Sequence, residues 1–571
     1  MKKFLYSNIF FLFFLALSVF AVYGKSLSFK FVDYDNPELI TNKIAFISDF
    51  KNIPKFFVSS CFGSKEDVYY RPVLTLSFAL NAIFAGDNPF FYYITNIFLF
   101  IGAVYSIYFF LSKLKFNETI LKFICLIIAV HPVCVSSVAW VPARNDTLLI
   151  IFLSLSFGFF TDYLEKGKIR YLTALCLFFT AALFTKETAV ILMPVYFFIV
   201  YFFDFKITKK KILTAASFLF LILMFYFFMR YVSVNAINVS GHIKDYNFYD
   251  TGNKFLRIFV FIKKVILPDN IPIFVYNSKF TTVDLIILAA FFLIFTFAYF
   301  KKIIGKNVAA FAAIFFALNM FLVFAVNDLA FHRVLFSLVS AIMILTAALT
   351  YIVAKWPVSK KYLFFLFACI FLSFGYISFV NADKYRNSDI FWLNAFAETP
   401  EYDVVWNGMG KRYFFYGNYG KAKEFMEGAK KIKNLYDYDL NLATVCIAEG
   451  NLNEAENMLL KLLKLKEKLT TLLYLSEIAY VKGETEKSYE YAQRAYKIEK
   501  NNVVLLRHMA KLHMDRKEFD KAAEKYKELI KYDGGNKDYY NNLSIAFERS
   551  GSKAESLKYA RKAAEFEYIN K

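Results

Sequence analysis

The sequence has few of the residues that build cross-linked or metal-rich domains. Its 571 residues include six cysteines, which are scattered and form no CxxC pair, and five histidines. That distribution argues against a zinc site held by closely spaced cysteines. Acidic residues are also scarce, with 47 Asp and Glu against 68 Lys and Arg, and no carboxylate-rich metal cage is evident.

Long apolar runs dominate the first two thirds of the chain. Hydrophobic residues make up 58% of the sequence and aromatic residues 20%, which is too apolar for a soluble protein of this size. A helix that spans a membrane needs roughly 20 apolar residues. Runs of this kind predict about eleven spans, at residues 5–23, 90–112, 119–135, 146–163, 171–185, 189–204, 212–231, 282–300, 308–326, 334–354 and 362–380.

Lysine and arginine distinguish the two sides of this membrane block. With the N-terminus in the cytoplasm, the short connections that fall inside are rich in lysine, and those outside carry few basic residues. The net charge of +21 follows largely from this lysine belt and does not indicate nucleic-acid binding. An odd number of spans puts the C-terminal part outside the cytoplasm. The first span could instead be a signal sequence cleaved after Gly24, but its length favours a retained anchor.

Two long loops are predicted on the outer side, at residues 24–72 and 232–281. Residues 65–88 predict an amphipathic helix on the outer surface that ends in Asp87-Asn88-Pro89, although a hairpin pair would also fit. Cys61 and Cys134 fall on this same outer side and could pair.

The composition changes near residue 381, and the rest of the chain is built from repeats. Turn residues recur as Gly417, Gly450, Gly483 and Gly551, and a small residue follows each of them five positions later. Repeats start near residues 403, 436, 469, 503 and 537, which is the period of about 34 residues of tetratricopeptide repeats. His508 and His513 in this region do not share a helical face and are predicted to be surface residues.

These patterns predict an all-α protein with two parts. Residues 1–380 form a polytopic bundle of membrane-spanning helices, residues 381–402 a linker, and residues 403–571 a soluble solenoid of about five tetratricopeptide repeats. The groove of such a solenoid usually holds an extended peptide or a partner protein. A purely structural or dimerising role for the repeats is the alternative.

Polar residues in or beside membrane spans are costly and are candidates for function. The predicted topology places nine of them on the outer face: Asp33, Asp35, Arg71, His131, Arg144, Asp146, Lys186, Glu187 and Arg333. A carboxylate can act as general base on an acceptor hydroxyl, and the cations can stabilise a leaving phosphate. A membrane setting suggests a donor with a lipid tail. The set therefore indicates glycosyl transfer from a polyprenyl-phosphate sugar.

The membrane block resembles the transmembrane-and-tetratricopeptide family of O-mannosyltransferases, with its bacterial relatives, in the GT-C glycosyltransferase superfamily. The stretches that carry the resemblance are Tyr34-Asp35-Asn36, Tyr70-Arg71-Pro72, His131-Pro132 with Val138-Ala139-Trp140, Arg144-x-Asp146, Lys186-Glu187 and Arg333. The likeness extends over nearly the whole chain, because that family also ends in tetratricopeptide repeats.

The resemblance implies an acidic pair in the first outer loop. Asp35 is then the expected base and Asp33 its partner, although the order could be reversed. The family's usual second acid is Asn36 here, and Ser136 replaces a carboxyl group often found after the His-Pro stretch. Both departures bear on substrate identity and on activity.

The other roles follow from the same resemblance. The donor-phosphate ligands would be Arg71, His131, Arg144, Lys186 and Arg333, supported by Asn36, Asp146 and Glu187. No cofactor is expected, and a divalent metal ion remains compatible with the sequence.

The sequence thus predicts a glycosyltransferase that lies in a lipid bilayer, with the bacterial cytoplasmic membrane as the expected location. It would move a sugar from a polyprenyl-phosphate carrier, with inversion, to an extracytoplasmic hydroxyl. The repeat groove would bind the acceptor, expected to be a protein. The alternatives are a non-catalytic membrane-anchored scaffold and a transporter or polymerase of lipid-linked glycans.

Overall fold

The computed structural model describes residues 8–62, 69–203, 205, 208–234, 251–276, 305–325, 335–355, 360–500, 502–532 and 536–569, with isolated positions between 286 and 300. The described residues contain helices and turns and no β-strand, so the predicted all-α class is confirmed. The chain divides into two compact units, residues 1–401 and 402–571.

The first unit is a bundle of mostly apolar helices. Among the described residues, its helices of eight or more residues are α1 (Asn8–Tyr23), α2 (Pro72–Ala85), α3 (Pro89–Lys113), α4 (Glu118–Ala129), α5 (Arg144–Lys166), α6 (Ile169–Thr185), α7 (Pro194–Phe202), α8 (Lys209–Val234), α9 (Thr251–Ile266), α10 (Lys306–Ala325), α11 (Leu338–Lys355), α12 (Lys360–Ala382) and α13 (Ser388–Glu398). Helix α5 packs between α3 and α6.

The predicted number of about eleven spans is not confirmed. Among the described residues, six helices are long and apolar enough to cross a membrane, or seven if one bent pair counts as a span. That pair bends by 58° between Glu118–Ala129 and Pro132–Ala139, where proline cannot continue the helix. The predicted spans at 171–185, 189–204 and 308–326 fall in shorter apolar helices. The predicted span at 282–300 lies almost wholly outside the described residues.

Local sequence signals set several helix boundaries on the outer side of the predicted topology. Helix α2 has Pro72 at its first position and ends at Gly86, whose φ is +59°. The side chain of Asn88 then caps α3 by accepting the backbone N–H of Phe90. Helix α2 is apolar on both its buried and its exposed sides, with Phe84 84% exposed. The amphipathic helix predicted for 65–88 is therefore a shorter, mostly apolar single helix, because its apolar residues are not confined to one face.

Two further expectations differ from the structure. Cys61 and Cys134 are both buried free thiols, so they form no disulfide. The predicted linker contains α13, and the boundary between the two compact units falls after Glu401. Residues 381–401 are thus part of the first unit.

The second unit consists of five helix pairs. Its helices are α14 (Asp403–Phe415), α15 (Tyr419–Ile432), α16 (Tyr436–Ala448), α17 (Leu452–Leu465), α18 (Leu469–Val481), α19 (Thr485–Ile498), α20 (Val503–Asp515), α21 (Phe519–Tyr532), α22 (Lys537–Arg549) and α23 (Lys553–Ile569). The small residues that set the repeat register are buried where the helices meet, and they are Ala422, Ala455, Ser488, Ala522 and Ser556.

Side chains on α20 correct one expectation for this unit. His513 is buried, and its Nδ1 lies 2.7 Å from Oε2 of Glu518. His508 is half-buried, and its Nε2 lies 2.8 Å from Oγ of Ser476. The two histidines face different partners, as the spacing predicts, but neither is a free surface residue.

Lys517 provides a test of the turn geometry. It adopts φ +58° at the position where the other pairs have glycine, as in Gly450 with φ +82°. A residue other than glycine costs about 1–2 kcal/mol in this left-handed backbone conformation, and replacement by glycine removes that cost. The greater conformational entropy of glycine in the unfolded chain offsets part of the resulting gain in stability. We expect Lys517→Gly to stabilise the α20–α21 pair by roughly 0.5–1 kcal/mol. Hydrogen exchange of the amides of residues 503–532 should therefore slow.

The reverse substitution is the control. Gly450→Lys should accelerate exchange of residues 436–465, which form the equivalent α16–α17 pair. Unchanged exchange in both variants would contradict the argument that φ at the turn limits the stability of each pair.

Candidate active site

The first loop that the sequence places on the outer side, residues 24–72, folds onto α2 in its described part. It forms short helices at Asn36–Leu39, Ile44–Ser48 and Ile53–Phe56. Their apolar side chains share one core cluster with α2 and with the segment before α5, and the cluster includes Ile40, Ile47, Phe56, Leu74, Phe78 and Val141. Burial of these side chains holds the acidic segment in place, at about 1.5–3 kcal/mol for each large one.

The two predicted acids differ in how the structure uses them. Oδ1 of Asp33 accepts a hydrogen bond of 2.7 Å from Nε1 of Trp392, and its backbone N–H donates to Oγ of Ser388 at 2.9 Å. Asp35 is half-buried and has φ +65°, and its side chain does not cap the helix that follows it. Positive φ is uncommon outside glycine, and such conformations concentrate at functional sites. The side chain of Asp35 therefore does not serve as a helix N-cap.

An aromatic cluster fixes the residue between these acids. The ring of Tyr34 stacks on Trp140, with centroids 5.8 Å apart and an interplanar angle of 17°. Nε1 of Trp140 also donates to the carbonyl oxygen of Tyr34 at 3.4 Å. Phe391 and Trp392 of α13 complete the cluster. Trp140 therefore joins the acidic loop to the segment that leads into α5.

Arg71, at the end of the first loop, pairs with Glu187 in the connection between α6 and α7. The contact is bidentate, with Nε to Oε2 at 3.0 Å and Nη2 to Oε1 at 2.6 Å. Burial alone would raise the pKa of Glu187, but Arg71 lowers it to about 2. Burial alone would lower the pKa of Arg71, but Glu187 raises it above its ordinary value. Both groups are therefore charged at neutral pH, and the ring of Tyr69 lies 4.4 Å from the guanidinium carbon.

Lys186 pairs with Asp146 in the first turn of α5. The distance from Nζ to Oδ1 is 2.6 Å, and the two side chains are 9% and 7% exposed. Removing one partner of such a buried pair leaves an uncompensated charge, which costs about 3–5 kcal/mol. Because Lys186 and Glu187 are adjacent, the two ion pairs form one chain, Arg71–Glu187 and Lys186–Asp146, which we name the paired-charge network.

Arg144 is fully buried and makes four hydrogen bonds to α2 and α3. The acceptors are Oδ1 of Asn96 at 2.7 Å, Oδ1 of Asn81 at 2.8 Å, and the carbonyl oxygens of Ser77 and Tyr92, both at 3.0 Å. Its guanidinium also lies over the rings of Phe78 and Tyr92. In this arrangement Arg144 ties the start of α5 to two other helices.

The other predicted site residues lie among different partners in the part of the chain that the structure describes. His131 is buried, its Nδ1 accepts from the backbone N–H of Val133 at 3.2 Å, and its Nε2 donates to the carbonyl oxygen of Val265 at 3.1 Å. Asn36 is buried, and its amide nitrogen donates to the carbonyl oxygen of Val32 at 2.8 Å. Arg333 lies outside the described residues.

Sequence reasoning missed two side chains that position this site. Asn81 accepts from Arg144, and its presence in an otherwise apolar helix was a usable signal. Trp392 holds Asp33 across 359 positions of the chain, and no local pattern could have indicated that contact. Within the described part of the chain, no group of three or more His, Cys, Asp or Glu residues could hold a metal ion.

The arrangement combines a half-buried carboxylate loop with buried cations at the ends of apolar helices. Residues 72–229 match the model of a family described as dolichyl-phosphate-mannose-protein mannosyltransferase. The predicted resemblance to O-mannosyltransferases is thereby confirmed for this part of the chain. The match contains His131, Arg144 and the paired-charge network except Arg71, and it excludes the acidic loop.

Two curated relatives are similar to part of the chain. Protein O-mannosyl-transferase TMTC1 of Mus musculus is 29% identical over 185 residues, which are 29% of this chain and 19% of the relative. The same protein of Homo sapiens is 28% identical over 185 residues, 29% of this chain and 21% of the relative. The chain thus aligns with about a fifth of the length of these relatives.

Solved structures also match part of the chain. The crystal structure of MamA protein is 22% identical, covers 29% of this chain and 92% of MamA, and has a TM-score of 0.27. The crystal structure of YrrB, titled a TPR protein with an unusual peptide-binding site, is 16% identical, covers 31% of this chain and 91% of YrrB, and has a TM-score of 0.26.

Arg144 generates a testable prediction. Arg144→Met leaves two amide oxygens and two carbonyl oxygens without their donor, and each unsatisfied buried group costs about 1–3 kcal/mol. We expect the detergent-solubilised variant to aggregate at a clearly lower temperature than the wild type. The control is Arg170→Met, since Arg170 is exposed and donates a hydrogen bond to the hydroxyl of the adjacent Tyr171. Equal aggregation temperatures for the two variants would contradict the tying role of Arg144.

Proposed function

We propose that this protein transfers a sugar, with mannose as the first candidate, from a polyprenyl-phosphate carrier to a hydroxyl of an extracytoplasmic protein. The observation that carries the proposal is the paired-charge network, which lies, apart from Arg71, in a segment that matches a mannosyltransferase family. The names of the two curated relatives support protein O-mannosylation.

The chemistry is an inverting displacement. The oxygen of a Ser or Thr side chain attacks the anomeric carbon, and Asp35 takes the hydroxyl proton as general base. The bond between that carbon and the phosphate oxygen breaks, and polyprenyl phosphate leaves with the electron pair. Cations near the phosphate stabilise its developing charge. Asp33, held by Trp392, positions the loop that carries the base.

Arg71 and Lys186 are the proposed phosphate ligands. Arg71 uses Nε and Nη2 for Glu187, and its Nη1 makes no hydrogen bond within the described residues. That nitrogen is suited to donate to a phosphate oxygen. Lys186 can share its ammonium between Asp146 and the donor, since it carries three N–H groups. Arg144 acts as a positioning residue, and phosphate contacts by His131 and Arg333 stay predictions.

The proposed acid–base role gives a direct test. We expect Asp35→Asn to lower the rate of mannosyl transfer from polyprenyl-phosphate mannose to a Ser/Thr-rich peptide by roughly 100-fold or more, because general-base catalysis contributes about 10²–10⁴-fold. Asp33→Asn should have a smaller effect, since it weakens a positioning contact. Radiolabel transfer by membranes that contain each variant measures these rates.

The matched control is Glu38→Gln, an exposed carboxylate three positions further along the same loop. It should transfer at the wild-type rate. A glycan inventory of envelope proteins gives the contrary outcome. If deletion of the whole gene alters glycosylation but Asp35→Ala and Asp33→Ala do not, the protein acts as a non-catalytic scaffold.

We further propose that the N-terminus is cytoplasmic and that the repeat unit is extracytoplasmic. Alkaline phosphatase folds to its active form only outside the cytoplasm because it requires disulfides. A fusion after residue 400 should therefore be active, and a fusion after Phe205, in a lysine-rich connection predicted inside, should be inactive. The reverse pattern would put the acceptor-binding unit on the wrong side for this function.

A further inference from the structure

The repeat unit contains a groove that carries a distinctive set of charges. Its volume is about 610 Å³, within the range of roughly 300–1,000 Å³ that is usual for ligand pockets. We name it the repeat groove. The side chains that matter for its chemistry are Glu477, Tyr480, Val481, Val504, Arg507 and Lys511.

Several cations elsewhere in this unit pair with carboxylates of the neighbouring repeat. Examples are Lys423 with Glu454 at 3.2 Å and Arg494 with Glu467 at 3.1 Å. Lys482 and Lys487 both pair with Glu456, at 2.5 and 2.6 Å. These pairs connect consecutive helix pairs of the solenoid.

Arg507 and Lys511 differ from that pattern. Both are exposed on α20 and line the repeat groove. Neither has a carboxylate within ion-pair distance among the described residues, and the ammonium of Lys511 lies 4.3 Å from the ring centroid of Tyr480. They are one helical turn apart, so their charges add on the same face.

The positive charges of Arg507 and Lys511 also affect the pKa values of neighbouring titratable groups. Burial, together with the charges of Lys511 and Arg507, lowers the pKa of His508 to about 4. His508 is therefore neutral at pH 7. Burial raises the pKa of Glu477, which Arg507 opposes. Glu477 is the one acidic side chain that lines the groove within the described residues, so two cations outnumber it.

The groove also has apolar surface. Val481 is 68% exposed and Val504 42% exposed. Exposed apolar side chains beside unpaired cations suit an extended segment that alternates acidic and apolar residues. Its carboxylates would meet Arg507 and Lys511, and its apolar side chains would cover the two valines.

We infer that the repeat groove binds an acidic, apolar-alternating segment of a partner protein, with Arg507 and Lys511 as its carboxylate contacts. This inference rests on the proposed function only in taking that partner as the acceptor protein. The binding itself requires no sugar donor.

The test uses the full-length protein in detergent and three fluorescent ten-residue peptides. One alternates Glu with Leu, the second replaces each Glu by Gln, and the third replaces each Glu by Lys. Fluorescence anisotropy should give a Kd for the Glu peptide at least about tenfold below those of the other two, which corresponds to 1.4 kcal/mol. Its affinity should fall as sodium chloride rises, because exposed charges are screened.

Variants locate the contact. Arg507→Gln with Lys511→Gln should weaken binding of the Glu peptide about tenfold. The control pair Lys423→Gln with Arg494→Gln removes the same charge outside the groove lining and should leave Kd unchanged. Glu477→Gln removes a repelling charge and should tighten binding. Circular dichroism establishes that each variant retains its helix content.

Two outcomes would overturn the inference. Equal binding of the Glu and Gln peptides would identify an apolar groove without charge selection. An unchanged Kd in the Arg507→Gln and Lys511→Gln variant would place the acidic contact elsewhere. Since no donor is present, either result leaves the transfer activity to be judged by the Asp35 variants.

Discussion

The geometry of the membrane unit depends on the cost of burying charge. An isolated ammonium or guanidinium removed from water is destabilised by several kcal/mol, and a well-placed carboxylate or set of acceptors is needed to offset that cost. Lys186 finds Asp146, and Arg71 finds Glu187. Arg144 is surrounded by amide and carbonyl oxygens. These partners come from different helices, so satisfying the charges also fixes how the helix ends meet.

The same constraint explains why the first loop can be ordered although its helices are very short. Its apolar side chains pack on α2, whose N-terminal neighbour Arg71 is anchored by Glu187. Its acidic end is held by Trp140 on one side and Trp392 on the other. A base must be held within hydrogen-bond reach of its proton. A carboxylate on a loop can meet that requirement only if packing of this kind removes the loop's freedom.

The sequence predicted the parts that depend on local periodicity. Ala422 and Ala455 lie in the core as the repeat register requires, and Asn88-Pro89 begins α3. Local periodicity could not predict which residue each charged side chain pairs with. Lys186 and Asp146 are 40 positions apart, and nothing in either segment specifies the other. The predicted number of about eleven spans is not confirmed. Apolar residues favour burial in lipid and burial in a protein core equally, so apolar content alone does not distinguish a span from a core helix. Helices such as α6 are apolar but short.

An unpaired charged side chain has a different free-energy cost in the two units because the surroundings differ. In the repeat unit, exposed ion pairs contribute about 0–1 kcal/mol each, so an unpaired lysine in water carries almost no penalty and alone indicates nothing. Arg507 and Lys511 are informative because they line one groove together, where Glu477 is the one acidic lining residue among the described residues, and because exposed valines lie beside them. In the membrane unit the penalty is large, and pairing is the expected state whatever the function. In the membrane unit the informative feature is an N–H group that the ion pair does not use, such as Nη1 of Arg71. A cation with such a group can donate a hydrogen bond to a phosphate while it stays paired with its carboxylate.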